Sequence, residues 1–320
     1  MIQSHPSSDA HEGGSVSGDQ SRKRVLITGS NGVLGTKLIE AAIADHEVIA
    51  TDLQPEALNS FLGTFTYVPM DITEQAQVAR VFEQFRPSLV IHAGAYTDVD
   101  GAEKNRDLCY QVNVIGTQHV AVAVQGKLVY VSTDYVFDGT SGPYREGDAV
   151  HPLGWYGETK HQGEQAASNN ADDVLICRTS TLYGFAPNIT KYNFVGWVLR
   201  QLEQGRQARV ATDQYVNHTI AEDLAATVLA LAASGQRGVY HTAGEDRLSR
   251  FEFARRAAEQ FGFDPSLLIP ATCAELGWTA LRPLEGGFVM DKLHQHLTMM
   301  GTEQQLAIIR NTFPWANATA

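Results

Sequence analysis

Gly29-Ser30-Asn31-Gly32-Val33-Leu34-Gly35 follows an apolar run and opens a helical pattern. Its spacing is G-x-x-G-x-x-G, a relative of the G-x-G-x-x-G dinucleotide fingerprint. Glycines at such spacing let the backbone turn tightly and approach a pyrophosphate. The helix N-terminus behind them offers free N–H groups and a positive dipole end. The loop therefore predicts a dinucleotide site made by Gly29, Asn31, Gly32, Val33, Leu34 and Gly35. Asp52 ends the next strand pattern, at the place where a carboxylate meets the adenosine ribose hydroxyls. An N-capping Asp in a βα turn has the same sequence signature. A carboxylate there repels a 2′-phosphate, so the expected cofactor is NAD(H) or NADP(H), with NAD(H) favoured. No arginine follows Asp52; Arg24 and Lys37 are the cations that could still serve a phosphate. Farther on, Ser132-Thr133 closes a strand pattern, and Tyr156-Gly-Glu-Thr-Lys160 follows on a helix. A tyrosine and a lysine four residues apart share a helix face. A lysine cation lowers a neighbouring phenol's pKa and lets it exchange protons near neutrality, while a hydroxyl holds a carbonyl oxygen. Together they stabilise an alkoxide formed by hydride transfer. Tyr156, Lys160, Thr133 and Ser132 are thus the candidate catalytic residues.

The elements that must position these groups alternate in type. Val25–Thr28, Glu47–Thr51, Phe65–Pro69, Leu89–His92 and Lys127–Ser132 read as short buried strands. Helical patterns lie between them at 35–44, 74–85 and 105–124. Such alternation predicts an α/β, Rossmann-type doubly wound parallel sheet. After about residue 185 the alternation breaks down. Helices are expected at 192–204, 219–233, 250–261 and 302–311, with strands at 209–212 and 238–242. This half reads as a smaller C-terminal α/β substrate lobe woven back into the sheet. The expected organisation is a disordered tail at 1–21, a nucleotide-binding domain at 22–185 completed by about 209–242, and a substrate lobe at 186–208 and 243–320.

Composition bounds the rest. The 320 residues carry a net charge of −12, which argues against a nucleic-acid binder or an anionic-membrane binder. No apolar run is long enough to span a bilayer and no secretory signal is evident, so the expectation is a soluble cytoplasmic protein. Cys109, Cys177 and Cys273 are far apart and read as reduced, packed thiols. His92, His119, His151 and His161 lack metal-ligand spacing. The acidic group Asp98, Asp100 and Glu103 reads as a solvated helix entry, so no metal is expected.

Longer strings carry a family resemblance. Ala93-Gly94-Ala95-Tyr96-Thr97 with Val99-Asp100, Val112-Asn113-Val114-Ile115-Gly116-Thr117, Ser132-Thr133-Asp134-Tyr135-Val136-Phe137-Asp138-Gly139, and Tyr156 to Lys160 with Gly163-Glu164 occur in order. With Arg178-Thr179-Ser180 and Tyr183-Gly184, they resemble the extended short-chain dehydrogenase/reductases, and within them the dTDP-4-dehydrorhamnose reductase group. The resemblance runs from about Lys23 to Lys292. It implies an NAD(P)H-dependent reductase of a 4-keto nucleotide-sugar, with Tyr156 as proton donor. It further implies that Gly29, Gly32 and Gly35 cradle the pyrophosphate and that Asp71-Ile72 flanks adenine. Ala93, Gly94 and Ala95 line the nicotinamide ribose region, and Lys160 bonds that ribose. Thr133 holds the keto oxygen with Ser132 beside it, Asp134 and Tyr135 border the substrate, and self-association is a family expectation. Asn193 fits a later block, and Arg282 is a candidate partner for a nucleotide diphosphate.

This chain departs from the group's pattern at several places. Thr181 stands where the group carries a tryptophan that would stack on the sugar, so Thr181 is a candidate substrate contact. His218 replaces a proline and is expected on a surface loop, with substrate contact as the alternative. Trp155 is expected either to wall the active site or to pack on the lobe. Two other functions stay open: a nucleotide-sugar epimerase or dehydratase, and a non-catalytic NADP-binding regulatory subunit like the beta subunit of methionine adenosyltransferase.

Overall fold

The computed structural model describes residues 22–186 and 193–313. The expected tail at 1–21 lies outside the described residues. Seven strands form the central sheet: β1 (Arg24–Thr28), β2 (Glu47–Asp52), β3 (Thr66–Pro69), β4 (Leu89–His92), β5 (Lys127–Thr133), β6 (Asp173–Thr179) and, much later in the chain, β11 (Gly238–His241). Their order is β11-β6-β5-β4-β1-β2-β3, and every pairing is parallel. The order reverses between β1 and β4, which places a crevice at the carboxyl ends of those two strands.

The strands are continuous apolar runs because both faces are covered. Val25 and Ile27 point toward α1 (Val33–Ala42) and α8 (Ala221–Ala233), in one core with Leu38, Ile39, Leu224 and Val228. Leu26 points the other way, into a core with Val78, Val81 and Phe82 of α2 (Gln75–Phe85) and Val120 of α5 (Thr117–Ala123). Between α2 and α5 lie α3 (Val99–Lys104) and α4 (Arg106–Tyr110). The helix expected over 105–124 is interrupted. A π-helical turn at Gln111–Gly116 joins α4 to α5 and widens the backbone around Asn113. α6 (Trp155–Asn170) carries Tyr156 and Lys160.

The lobe is built from short pairs. β7 (Leu182–Tyr183) pairs with β10 (Thr219–Ile220), β8 (Ala208–Ala211) with β13 (Leu268–Ala271), and β9 (Tyr215–Asn217) with β12 (Arg247–Ser249). The 209–242 stretch therefore joins the central sheet only through β11 and the covering helix α8. Its strand β8 belongs to the lobe, because Ala208 and Val210 pack against Ala254 and Leu268 there. α7 (Phe194–Glu203), α9 (Arg250–Phe261), α10 (Cys273–Leu276) and α11 (Thr302–Thr312) complete the lobe. No helix among the described residues is long and apolar enough to cross a membrane.

Candidate active site

The glycine loop is shaped by contacts that no side chain fits. Gly29 has φ +68°, and a Cβ there would lie 2.7 Å from the Cα and N of Gly94. At Gly35 a Cβ would lie 2.2 Å from the Gly29 carbonyl oxygen, so α1 seats directly on the turn. Gly32 caps α1. The backbone around the helix N-terminus is thus a bare cradle of the kind a pyrophosphate fits. Val33 opens α1, while the Leu34 side chain is buried in the core, so only the backbone of Leu34 belongs to the cradle.

The Asn31 side chain is placed differently from the sequence expectation. It faces away from the cradle. Its Nδ2 donates to the Glu56 carbonyl at 3.0 Å and to the Tyr67 hydroxyl at 3.2 Å, and its Oδ1 accepts from Leu58 N–H at 2.9 Å. It ties the segment after β2 to the glycine loop. Asp52 accepts Asn31 N–H at 3.0 Å and Leu53 N–H at 2.8 Å, so it shapes the turn at the end of β2. Lys37 is paired with Glu40 and Glu222, and Arg24 with Glu47, so both candidate cations are already committed. Asp71 holds Thr73 in a tight turn after β3, and Ile72 abuts Gly116. Ala93, Gly94 and Ala95 leave the end of β4, with Gly94 N–H donating to Thr28 Oγ1 at 3.1 Å.

At the end of β5, successive side chains point to opposite sides. Thr133 turns toward Tyr156 and also caps the turn through Tyr135 N–H. Ser132 turns away: its hydroxyl donates to Glu164 Oε1 at 2.6 Å. The expected grouping of Ser132 with the reacting centre is thus corrected, because that hydroxyl is spent on a buried ion pair. Glu164 is gripped by Arg178 through Nε at 2.8 Å and Nη2 at 2.7 Å. Burial raises the Glu164 pKa, but Arg178, His161 and Ser132 outweigh it and hold the carboxyl at about 2.

Tyr156 is half-buried, with the Tyr135 ring edge-on at 5.5 Å between centroids. Burial pushes its phenol above its ordinary pKa against the opposing Thr133 hydroxyl, which keeps it protonated. Lys160 is buried; its Nζ donates to the Val131 carbonyl at 2.7 Å and lies 4.1 Å from the Tyr130 ring centroid. Burial lowers it to about 7, against the charge of Glu164. The expectation that Lys160 depresses the Tyr156 pKa is not met: desolvation of the phenol dominates and raises it.

Asp134 is buried and accepts from Ser180 Oγ at 2.6 Å and Thr133 Oγ1 at 3.2 Å, and burial raises its pKa. Thr181 is a β-branched residue at φ +36°, a strained conformation, and its buried hydroxyl has no partner among the described residues. Asn193 caps α7 through Gly196 N–H and donates to the Gly184 carbonyl, so its side chain is structural here. Arg282 pairs with Asp100 at 2.7 Å and lies 4.9 Å from the Trp278 ring centroid. His218 is fully buried and stacked on Phe253 at 3.9 Å, which corrects the expected surface position. Burial and then Arg250 drive its pKa well down, so it is neutral. The Trp155 indole docks on α4, donating to the Arg106 carbonyl at 2.9 Å, and lines a surface cavity with Thr279, Ala280 and Leu281 of the lobe. Asp98 caps α3, Asp100 holds Arg282 and Glu103 holds Trp155 N–H. No group of three potential metal ligands occurs among the described residues.

Two residues escaped the sequence reading. Asn113 lies in the Val112–Thr117 string, and from the π turn its side chain clamps Tyr96 and Thr159 of α6. Arg250 is the first residue of α9, where a cation opposes the helix dipole. That misfit was the available signal. Its Nε donates to Gln214 at 2.6 Å, it lies beside the Phe194 and Trp278 rings, and its charge acts on Asp134 and Tyr135. No carboxylate pairs with it among the described residues.

The glycine cradle, the strand-end Thr133 and the Tyr156/Lys160 face coincide with a match of residues 23–312 to the RmlD substrate binding domain family. The chain belongs to this family. It is 38% identical over 264 residues to a dTDP-4-dehydrorhamnose reductase of Mycobacterium tuberculosis, covering 79% of this chain and 80% of that one. A crystal structure of the Bacillus anthracis dTDP-4-dehydrorhamnose reductase in complex with NADP superposes with a TM-score of 0.77 at 34% identity, covering 90% of this chain and 98% of the other. Methionine adenosyltransferase 2 subunit beta of Xenopus laevis is 29% identical, covering 80% and 78%.

Proposed function

We propose that this family member is an NAD(P)H-dependent reductase of a 4-keto nucleotide-sugar, with dTDP-4-dehydrorhamnose the first substrate to test. The carrying observation is the bare glycine cradle beside a protonated Tyr156 that faces Thr133. Gly29, Gly32, Gly35 and the N-terminus of α1 would hold the cofactor pyrophosphate, Asp52 the adenosine ribose, and Ala93 to Ala95 with Lys160 the nicotinamide half. Asp71 and Ile72 would flank the adenine. The bound cofactor supplies the hydride. Thr133 fixes the keto oxygen by a hydrogen bond, and Tyr156 delivers its proton to that oxygen as negative charge develops. Lys160 would bond the nicotinamide ribose, and its charge would stabilise the phenolate that proton transfer leaves on Tyr156. Asp134, Tyr135 and Thr181 border the sugar, and Arg250 offers a guanidinium for the diphosphate.

NADH is the favoured cofactor. Asp52 repels a 2′-phosphate, and Lys37 and Arg24 are engaged elsewhere. Residues 22–185 with α8 and β11 serve the cofactor, and the remaining C-terminal residues serve the substrate. We infer a cytoplasmic protein whose net charge of −12 disfavours nucleic acid and anionic membranes, with self-association expected from the family resemblance.

The test follows cofactor oxidation at about 340 nm with dTDP-4-keto-6-deoxy-L-mannose and either NADH or NADPH. Tyr156→Phe should lose about 10²-fold or more in kcat. The Xenopus relative keeps a second reading in view, a binding subunit. Tight cofactor binding with no turnover on any keto-sugar would select it and reject the reductase.

A further inference from the structure

His92 ends β4, is 1% exposed and takes no part in the chemistry above. Its ring nitrogens both have partners: Nδ1 lies 2.6 Å from Thr28 Oγ1 and Nε2 lies 3.1 Å from Thr117 Oγ1. One assignment of directions satisfies these bonds together. The Thr117 hydroxyl donates to the Asn113 carbonyl at 2.7 Å, so toward His92 it can only accept. His92 Nε2 therefore carries the proton. Nδ1 is then an acceptor, and the Thr28 hydroxyl donates to it. That leaves Thr28 Oγ1 lone pairs for Gly94 N–H, which donates at 3.1 Å.

Both ends of this line reach the proposed site. At one end Gly94 backs onto Gly29 so closely that a Cβ on Gly29 would lie 2.7 Å from the Gly94 Cα and N. At the other end Asn113 holds Tyr96 through N–H at 2.8 Å and carbonyl at 3.2 Å, and its Nδ2 donates to Thr159 Oγ1 at 3.1 Å. The Thr159 hydroxyl donates to the Tyr156 carbonyl at 3.0 Å. The π turn lets one residue, Asn113, serve both directions: its carbonyl faces Thr117 and its amide faces α6.

We propose that His92, as the neutral Nε2–H tautomer, is a positioning residue that locks the glycine loop and the Tyr156 helix into one hydrogen-bonded unit, so that the cofactor cradle and the proton donor are set together. A ring of the opposite tautomer would point two lone pairs at each other at Thr117, with no proton between them. The ring's remaining neighbours are the Tyr130 ring, 5.7 Å between centroids, and the Lys160 charge. Burial, then Lys160, lowers the His92 pKa to about 3, which agrees with a ring that stays neutral.

This inference rests on the proposed cofactor site but not on the identity of the sugar, and the test separates them. Nitrogen chemical shifts of His92 in the intact wild-type chain report the tautomer directly. NADH dissociation constants are then measured without sugar for Thr28→Val, Thr117→Val and the double variant, each checked for folding by circular dichroism. An Nε2–H ring, with each single change weakening NADH about three- to tenfold and the double change no more than the larger single one, supports the unit. An Nδ1–H or charged ring at neutral pH, single changes without effect, or single effects that multiply in the double variant would overturn it. Absence of sugar turnover with these binding effects intact would count against the substrate reading alone.

Discussion

Glu164→Gln tests how the core beneath the site supports Lys160. The wild-type carboxyl is held at about 2 against an ordinary 4.5, so about 2.5 pKa units at 1.36 kcal/mol each give about 3 kcal/mol of stabilisation at neutral pH. Because the folded pKa is depressed, this stabilisation is complete above pH 4.5 and is lost as the pH falls through about 2. Gln keeps the shape but removes the charge, and it leaves the Arg178 guanidinium buried without its counter-ion. The cost of breaking such a pair is about 3–5 kcal/mol. Urea unfolding at pH 7 should show that loss, and the gap to wild type should narrow as the pH drops below 4.5. Glu164 also supports the Lys160 charge against burial. Its removal should move the alkaline limb of the kcat/KM profile, set near 7 by Lys160, to lower pH. A variant within about 1 kcal/mol of wild type, or an unmoved alkaline limb, would refute this account.

Arg250→Met should raise the KM for the nucleotide-sugar about tenfold or more with a small change in kcat, and steady-state kinetics at two salt concentrations will show whether the charge is responsible. Asp52→Asn should shift the NADH-to-NADPH ratio of dissociation constants about tenfold toward NADPH; an unchanged ratio would remove Asp52 from the preference. Gly35→Ala should abolish measurable cofactor binding, because the new Cβ meets the Gly29 carbonyl oxygen at 2.2 Å. Thr181→Gly should stabilise the chain by about 1 kcal/mol by releasing the left-handed strain, readable as a rise in melting temperature.

Those features that follow from periodicity were legible in the sequence. The strand-and-helix alternation from Val25 to Ser132 anticipates the parallel sheet, and the glycine spacing anticipates the cradle. What escaped depends on direction. Sequence places Ser132 beside Thr133, but the pleat sends one to Glu164 and the other to Tyr156. Asn31 lies in the loop motif, yet its side chain satisfies the segment after β2. His218 reads as a loop residue because its neighbours are polar; it is buried because Phe253, far along the chain, offers a flat partner. Spacing puts Lys160 and Tyr156 on one helix face but says nothing of the desolvation that raises the phenol pKa.

The place of β11 in the sheet has a consequence for biosynthesis. The residues that pair with β6 lie about sixty positions farther along the chain, beyond much of the lobe. During translation, with the N-terminal part folding first, the backbone edge of β6 stays unpaired until Gly238–His241 leaves the ribosome. The nascent sheet therefore carries an adhesive edge for the whole time the first part of the lobe is being made. A truncation before residue 238 would make that edge permanent, and such a fragment should aggregate instead of surviving as a separate cofactor-binding unit.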